Sequence, residues 1–363
     1  MMSKARALLA GLLLLAGCAT GQPSVVPAEA SSSERLAWSL VIHGGAGVIE
    51  RAQMDAATEA AYRAAMNAAL DRGAAVLSRG GSSLDAIEAV IHGMEDDPLF
   101  NAGRGAVFTA EGRNELDASI MDGSNLKAGA VAGVTNVRHP ITLARRVMER
   151  SPHVMLIGAG AEAFADTQDD LERVGNSWFF TERRWRGLEA ELRKRGLPIP
   201  ARPAPPPPPP TPAAELVPDD SDRKFGTVGV VALDNAGNLA AGTSTGGTTA
   251  KRWGRVGDAP ISGAGTYASN GSCGVSATGT GEYFIRLTVA REICALVEHR
   301  GLGVQAAADA VIQRQLTAIG GDGGAIVLSP RGEVAWSFNT SGMYRASAVA
   351  GGERVVAIFK DER

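Results

Sequence analysis

Apolar residues recur three and four positions apart in several long segments, and this periodicity predicts helices. An Ala-rich pattern covers residues 55–79, and a second helix begins at Ser82 and runs toward Glu95. Ser82 and Asp85 have the spacing of a capping box in which Asp replaces the usual Glu. Further helices are predicted at 142–150 and 282–299.

Short alternating or continuous apolar runs, bounded by glycine and other turn residues, predict strands in two sets. The first set covers 38–42, 106–109, 116–121, 128–134 and a short buried run at 154–157. The second set covers 227–234, 239–243, 274–277, 324–328, 333–338 and 354–360. Because strands come in runs rather than in strict βαβ alternation, this order favours layered sheets with helices outside.

The composition is that of an ordinary globular protein. The chain has 363 residues, of which 45% are apolar and 21% charged, which suffices for one large domain or two modest ones. A formal net charge of −3 gives no basic footprint, so we expect no nucleic-acid partner. The HExxH zinc motif and the Walker phosphate loop do not occur in the sequence.

The first residues have the features of a lipoprotein signal. Lys4 and Arg6 precede an apolar run, and the segment Leu15-Ala16-Gly17-Cys18 has the small-residue spacing of a bacterial lipobox. We expect residues 1–18 to form a signal peptide that ends at a lipidated Cys18, followed by a flexible tether at 19–36. The protein would then be a lipid-anchored lipoprotein of the bacterial cell envelope, facing the periplasm. The alternative is a plain secretory signal that is cleaved nearby.

No later segment has about eighteen uninterrupted apolar residues, so the lipid anchor is the only membrane contact that we expect. Cys273 and Cys294 are the cysteines that follow the signal. They can pair in an oxidising compartment, but sequence does not show whether their Cα atoms are close enough. We expect two small buried thiols, and no zinc site because no Cys/His cluster is present.

A polyproline tract at 203–212 interrupts the globular part, because proline cannot donate to a sheet ladder. The polar neighbours at 213–224 also suggest a lack of regular structure, and such a tract by itself most simply indicates a spacer between domains. The chain changes character near Gly187, so we place a proline-rich linker at 187–226, between segments 37–186 and 227–363.

Hydroxyl residues flanked by glycine occur at 226–229, 243–247 and 277–282. A threonine hydroxyl needs a base, and a free α-amine with a pKa of about 7.7–8.0 can serve when the threonine is N-terminal. The peptide bond before Thr227 would have to break, and Gly226 tolerates the dihedral angles of such a site. Taken alone, however, Gly-Thr at a strand start is more often a simple turn.

Eight motifs in a fixed order alter this interpretation. Four precede the linker, namely HGGAG at 43–47, LFNAGRG at 99–105, ELDASIMDG at 115–123 and KAGAVAGV at 127–134; four follow it, namely GTVG at 226–229, TSTGG at 243–247, GRVGDAP at 254–260 and TGTGE at 278–282. In these motifs the chain resembles the plant-type (type 2) L-asparaginase and isoaspartyl aminopeptidase family of N-terminal-nucleophile hydrolases. The resemblance extends from Val41 to Ile358 and implies a four-layer αββα sandwich. Segments 37–186 and 227–363 would be its alpha and beta subunits, which together form one domain.

The resemblance implies catalytic roles for five positions. The chain would cut itself between Gly226 and Thr227, and the freed Thr227 would be the nucleophile, with its own amine as the base. Thr245 would position that nucleophile, and Asn101 would lie beside it. Thr278 and the backbone N–H of Gly279 would form the oxyanion hole.

The resemblance also implies how substrate is held. Arg255 would bind the α-carboxylate of the substrate, Asp258 would pair with its α-ammonium, and Thr278, Gly279 and Gly281 would line the same site. The expected activity is hydrolysis of L-asparagine and of β-aspartyl dipeptides, with release of L-aspartate and without a catalytic cofactor. Ala259 stands where the family often has Ser, which bears on substrate preference.

Two further expectations come from the resemblance alone. A structural sodium ion would be held by the backbone carbonyls of Met94, Glu95, Asp97, Phe100, Ala102 and Arg104, since carbonyl oxygens suit a hard cation. Cleaved protomers would form a homodimer.

Two other functions remain open at this stage. One is a glycosylasparaginase-like amidase, although members of that sister branch usually have Asp before the nucleophile, where this chain has Gly226. The other is an uncleaved, inactive, lipid-anchored binding protein that retains the fold.

Overall fold

Strand β1 (Ser39–Gly47) lies in the middle of the larger of two sheets, and all nine of its residues are buried. The computed structural model describes residues 36–204 and 226–362, so the predicted signal peptide, Cys18, most of the tether and most of the linker lie outside the described residues. The predicted strand at 38–42 is confirmed, but it continues through the whole HGGAG motif.

The larger sheet has eight strands in the order β12-β11-β1-β5-β6-β2-β3-β4. Besides β1 they are β2 (Leu116–Asp122), β3 (Ala128–Val134), β4 (Met155–Ile157), β5 (Val228–Leu233), β6 (Leu239–Thr245), β11 (Gly342–Val349) and β12 (Arg354–Phe359). All neighbours are antiparallel except β3 and β4, which are parallel.

The smaller sheet has four antiparallel strands in the order β10-β9-β8-β7. They are β7 (Thr266–Ala268), β8 (Gly274–Gly279), β9 (Gly323–Leu328) and β10 (Val334–Phe338). Apolar side chains of both sheets, among them Val41, Val231 and Ile326, form a common core between them.

Helices cover the outer faces of both sheets. On the larger sheet they are α1 (Ala56–Ser78), α2 (Ser83–Asp96), α3 (Pro140–Arg150) and α4 (Gly158–Ala165), and α5 (Glu182–Lys194) follows α4 in the chain. On the smaller sheet they are α6 (Gly281–Leu287), α7 (Val289–Arg300) and α8 (Val304–Asp309). Helix α8 continues as a π-helical stretch over Ala310–Leu316. Helix, sheet, sheet and helix thus form the αββα sandwich that the resemblance implied.

Local signals placed several helix ends correctly. Asp55 accepts a hydrogen bond from the Thr58 N–H and begins α1, while the Ser82 hydroxyl accepts one from the Asp85 N–H and begins α2. Each acceptor satisfies a backbone donor that the first helical turn leaves free.

Four local expectations are wrong. Residues 106–109 form only isolated bridges rather than a strand, and β4 is an exposed edge, with Ile157 64% accessible, instead of a buried strand. The helix predicted at 282–299 breaks at Thr288, whose φ of 48° ends α6 and begins α7. Helix α5 runs through Gly187 to Lys194 with Leu188 and Leu192 buried, so regular structure extends into the predicted linker.

The expectation of two free thiols is also wrong, because Cys273 and Cys294 form a disulfide with a Cα–Cα distance of 5.3 Å. The bond joins the start of β8 to α7 across the buried core of the smaller sheet. Sequence did not reveal it because 21 positions separate the two cysteines, and only folding brings them together.

Candidate active site

Thr227 directly precedes the start of β5, a strand in the centre of the larger sheet. The residue is 9% exposed, and its Oγ1 donates to Thr245 Oγ1 at 3.1 Å. Thr245 is the last residue of the neighbouring strand β6, and its Oγ1 also accepts a hydrogen bond from the Gly247 N–H at 3.0 Å. The two hydroxyls are therefore held together by the pairing of β5 with β6.

The bond between Gly226 and Thr227 is tightly enclosed. Gly45 has a φ of 114°, and a β-carbon at that position would lie 2.8 Å from the Gly226 Cα. A β-carbon at Gly226 would in turn lie 2.9 Å from the Asn101 Cβ. Any larger residue at either glycine would displace its neighbour, so close packing as well as backbone freedom requires glycine here.

Asn101 supports this junction from the loop after α2. Its Nδ2 donates to the Gly247 carbonyl at 2.8 Å, and its Oδ1 accepts from the Val107 N–H at 2.9 Å. Its own carbonyl accepts from the Gly246 N–H at 3.0 Å. Asn101 thus fixes the turn that follows Thr245, and it lies against Gly226, the residue before Thr227.

A narrow cleft opens at Thr227. It is lined by Gly226, Thr227, Thr245, Gly247, Thr248, Arg255, Gly257, Asp258 and Gly279. Residues that lie up to 53 positions apart in sequence therefore meet at one place. Thr278 lies behind the cleft, fully buried, where its Oγ1 accepts a 3.4 Å hydrogen bond from the Ala46 N–H.

The Arg255 guanidinium makes a bidentate ion pair with Glu282, at 3.0 and 3.1 Å, on the outer side of the cleft. Three glycines leave room around the guanidinium. A β-carbon at Gly247, Gly257 or Gly281 would lie 3.3, 2.7 or 2.9 Å from one of its nitrogens. Sequence reasoning missed Glu282 as the residue that orients Arg255, although it closes the TGTGE motif.

Asp258 is 6% exposed, and its Oδ2 has no hydrogen-bond partner within the described residues. Burial raises the pKa of its carboxyl to about 7, partly against the attraction of Arg255. A buried acceptor without a donor is costly unless a ligand supplies one. Together Arg255 and Asp258 present a cation and an acceptor to the same small space.

Two buried charges lie behind the cleft, and sequence reasoning did not identify them. Lys251 is 4% exposed and donates to the Glu115 carbonyl at 2.7 Å, and burial lowers the pKa of its ammonium. Burial raises the pKa of Asp117, whose Oδ1 accepts from the Gly133 N–H at 2.9 Å. A β-carbon added at Gly247, which lines the cleft, would lie 3.2 Å from Lys251 Nζ. The Lys251 ammonium therefore adds positive charge directly behind the cleft wall.

His43 is the histidine that contacts the Thr227 residue. Its Nδ1 lies 2.9 Å from the Thr227 carbonyl oxygen, and its Nε2 lies 2.9 Å from Ser276 Oγ. Burial lowers its pKa to about 3, so the ring is neutral at physiological pH. Its place in the HGGAG motif was the signal that could have drawn attention to it.

The segment GTSTG at 242–246 matches the spacing of a serine nucleophile elbow. The match does not describe a serine hydrolase, because the segment continues strand β6 and the Ser244 hydroxyl is fully buried. That hydroxyl donates to Glu95 Oε1 at 2.6 Å and faces away from the cleft.

The loop after α2 is rich in backbone carbonyls. Met94 has no helical donor for its carbonyl because Pro98, four residues later, has no N–H. Gly103 and Gly105 have φ values of 46° and 108°; β-carbons there would lie 2.3 Å from the Glu95 oxygen and 2.7 Å from the Phe100 oxygen. No cluster of three His, Cys, Asp or Glu side chains suited to a metal occurs in 36–204 or 226–362, and any cation in this loop would bind to backbone oxygens.

A family model described as Asparaginase matches residues 36–358. The chain belongs to the asparaginase family. This assignment confirms the resemblance found in the eight motifs, and the stacked sheets are the fold of that family.

Three family relatives illustrate the similarity. The chain is 48% identical to an isoaspartyl peptidase of Escherichia coli, over 89% of this chain and 96% of the relative. It is 41% identical to a probable isoaspartyl peptidase/L-asparaginase 2 of Arabidopsis thaliana, over 89% and 99%. It is 39% identical to an isoaspartyl peptidase/L-asparaginase of Homo sapiens, over 86% and 93%.

The buried Asp258 carboxylate should lower the stability of the folded protein at neutral pH. Because the pKa of its carboxyl is about 7 in the folded protein, against an ordinary value of 3.8, the folded state holds the proton more tightly than the unfolded chain does. The stabilising contribution of this proton is complete below pH 4 and is lost as the pH rises to 7, a change on the order of 4 kcal/mol. Asp258→Asn should therefore raise the free energy of unfolding at pH 8, measured by urea denaturation, and the gain should shrink toward pH 5.

Asp234→Asn provides a control, since that carboxylate is also buried but accepts hydrogen bonds from the Ser83 and Asn238 N–H groups. This variant should be destabilised at both pH values. An Asp258→Asn variant no more stable than wild type at pH 8 would contradict the inferred cost.

Proposed function

We propose that this protein is a self-cleaving threonine hydrolase of L-asparagine and β-aspartyl dipeptides that releases L-aspartate. One observation carries the proposal: the Thr227 hydroxyl opens into the same narrow cleft as the Arg255 guanidinium and the Asp258 carboxylate, whose Oδ2 has no partner among the described residues. The names of the relatives, isoaspartyl peptidase and L-asparaginase, describe the same chemistry.

The clamp fits a small zwitterion. The α-carboxylate of an aspartyl group would bind the Arg255 guanidinium, whose orientation Glu282 already fixes. The α-ammonium would supply a donor to Asp258 Oδ2, which restores the ionised form of that carboxyl on binding. Both substrates share this aspartyl group, so the clamp does not distinguish them.

The reaction would proceed in two steps of acyl transfer. The free α-amine of Thr227 takes the Oγ1 proton while Oγ1 attacks the side-chain amide carbon of the substrate. Gly279 N–H and Thr278 Oγ1 would stabilise the negative oxygen that forms. The protonated amine then gives its proton to the leaving ammonia or amino acid. Water attacks the ester, L-aspartate leaves, and the threonine hydroxyl regains its proton.

The nucleophile becomes available only after the chain is cut. In the intact chain, Thr227 Oγ1 would attack the Gly226 carbonyl carbon, and the bond from that carbon to the Thr227 nitrogen would break, so that the nitrogen takes a proton and becomes the free α-amine. Hydrolysis of the resulting ester would then release the Gly226 carboxylate and restore the Thr227 hydroxyl. The tight enclosure of Gly226 between Gly45 and Asn101 holds this bond in one conformation. Close positioning of the reacting groups is worth several powers of ten in rate.

Thr227→Ala is expected to give one uncut chain with no amidase activity, because both steps need the hydroxyl. Wild type should give two fragments on a denaturing gel, the smaller of which begins at Thr227 on N-terminal sequencing, and should release ammonia from L-asparagine. Thr227→Ser is the matched control and should still be cut. Normal processing of Thr227→Ala would disprove the nucleophile, and an uncut, inactive wild type would instead favour a binding protein.

We further propose that the loop after α2 holds a structural sodium ion through the carbonyls of Met94, Glu95, Asp97, Phe100, Ala102 and Arg104. Two features support this assignment: Pro98 offers no α-helical donor to the Met94 carbonyl, and Gly103 lies close to the Glu95 oxygen. Selective binding by the folded state stabilises it, by about 2.7 kcal/mol at one hundred times the Kd.

The melting temperature should accordingly be higher in sodium chloride than in choline chloride of equal ionic strength. Gly103→Ala, which introduces a side chain at a φ of 46°, should lose this difference. Gly351→Ala is a suitable control, because that glycine also has a positive φ but has open space around it. Identical wild-type melting in the two salts would refute the site.

We also propose that the protein is exported and lipid-anchored through Cys18, as the lipobox indicates. The Cys273–Cys294 disulfide supports an oxidising compartment, because such bonds persist there and are rare in the cytosol. None of the helices in the described parts of the chain is long and apolar enough to cross a membrane.

Expressed in a bacterium, the protein should fractionate with membranes and carry a diacyl mass at Cys18, while Cys18→Ser should be released as soluble protein. Intact mass should also rise by two hydrogen atoms on reduction. Wild type that lacks a lipid mass would contradict the anchor.

We also propose, from the family, that cleaved protomers form a homodimer, and light scattering of the purified protein measures its mass directly.

A further inference from the structure

A row of polar side chains crosses the apolar core between the two sheets. Strand register places His43, Gly229, Thr243 and Ser119 side by side on four adjacent strands of the larger sheet. The same register places Thr266 beside Ser276 on the smaller sheet. Side chains two positions apart on a strand point to the same face. This row therefore lies on the same face as the apolar residues Val41, Val231, Ala241 and Met121, each two positions away along its strand.

The two rows interlock as one chain of polar contacts at hydrogen-bond distance. From the Thr227 carbonyl the chain passes to His43 (2.9 Å), Ser276 (2.9 Å), Thr243 (2.8 Å), Thr266 (2.5 Å), Ser119 (2.8 Å) and the Ala259 carbonyl (2.6 Å). Successive members alternate between the sheets, and each side chain is at most 1% exposed. We call this row the polar seam.

Gly229 makes the polar seam possible. A β-carbon at Gly229 would lie 1.9 Å from Ser276 Oγ and 2.3 Å from His43 Nε2, so any side chain would separate that pair. The glycine of the GTVG motif thus has a packing reason beyond turn formation.

The ends of the polar seam are chemically informative. One end is the carbonyl of Thr227, and the other is the carbonyl of Ala259, which follows Asp258. Because the Thr227 carbonyl only accepts, His43 donates through Nδ1, and its neutral Nε2 accepts from Ser276. The Ala259 carbonyl also only accepts, so the four hydroxyl protons cannot serve all five links between His43 Nε2 and Ala259. The Thr227 carbonyl therefore sets the His43 tautomer, and Ser276 supplies the donor for its other ring nitrogen.

We propose that the polar seam positions the nucleophile against the substrate clamp, with His43 and Ser276 as positioning residues for the proposed hydrolysis. After cleavage, Thr227 has no preceding residue to restrain it. The His43 hydrogen bond then fixes its carbonyl, and the other end of the polar seam fixes the backbone beside Asp258. This inference rests on the proposed function, but it can fail independently of it.

Ser276→Ala tests this support of His43. Without the Ser276 hydroxyl, the buried Nε2 has no donor and the ring loses the contact that holds it against the Thr227 carbonyl. We expect kcat of the cleaved enzyme to fall about tenfold, the rate equivalent of one hydrogen bond, with KM changed less than about twofold. Ser39→Ala is the matched control: Ser39 is equally buried on β1 and bonds to the Gly332 carbonyl outside the seam, so its kcat should be unchanged.

His43→Asn separates positioning from general stability. The Asn amide nitrogen can take the place of Nδ1 and donate to Thr227 whether or not Ser276 is present. Ser276→Ala should therefore lower kcat in wild type but cause no further loss in the His43→Asn background. Equal kcat for Ser276→Ala and Ser39→Ala, or losses that multiply in the double variant, would overturn the proposal.

The protonation of the two His43 ring nitrogens can be measured by NMR without an activity assay, so this test does not depend on the proposed function. In protein labelled with ¹⁵N-histidine, His43 should show a protonated Nδ1 and an unprotonated Nε2, and Ser276→Ala should shift the Nε2 resonance toward that of a ring nitrogen that accepts no hydrogen bond. A wild-type His43 protonated only at Nε2 would disprove the polar seam as drawn. If Ser276→Ala does not fold, Ser119→Ala serves instead, with KM expected to rise more than kcat falls.

Discussion

Close packing around the bond between Gly226 and Thr227 constrains the rest of the site. Gly45 and Asn101 leave no space for a side chain at position 226. Strand pairing holds the Thr227 and Thr245 hydroxyls within 3.1 Å. Every other group of the cleft, from Arg255 to Gly279, is arranged around this fixed point.

Charge in the cleft is balanced in an incomplete way that suits a ligand. Glu282 neutralises Arg255 from the solvent side and fixes its plane. Asp258 is buried, and its Oδ2 finds no donor among the described residues. An aspartyl zwitterion would complete both partnerships at once, so the cleft carries an electrostatic cost that binding removes. The two large apolar cores of the fold contribute the stability that offsets this cost.

Sequence predicted the elements that depend on local periodicity and caps, such as α1, α2, β2 and β3. It failed where tertiary packing decides. Strand β11 (Gly342–Val349) has no clear alternation of apolar and polar residues, and it becomes a strand because β1 and β12 pair with it on both sides. The break at Thr288 and the disulfide likewise depend on contacts between distant segments. In the site, the motifs pointed to Thr227, Arg255 and Asp258. They could not show the contacts of Glu282 with Arg255 and of Ser276 with His43, because folding brings these residues together from distant segments.

Strand order has a consequence for the proposed self-cleavage. Strands β1, β2, β3 and β4 would belong to the first fragment, and the remaining strands of the larger sheet to the second. In the sheet, β1 lies between β11 and β5 of the second fragment, while β6 pairs with β2 of the first. The fragments are therefore interleaved, and they cannot separate without breaking the sheet. Loss of the peptide bond would turn a unimolecular folding problem into a bimolecular one, so the mature protein would refold at a rate that depends on its concentration.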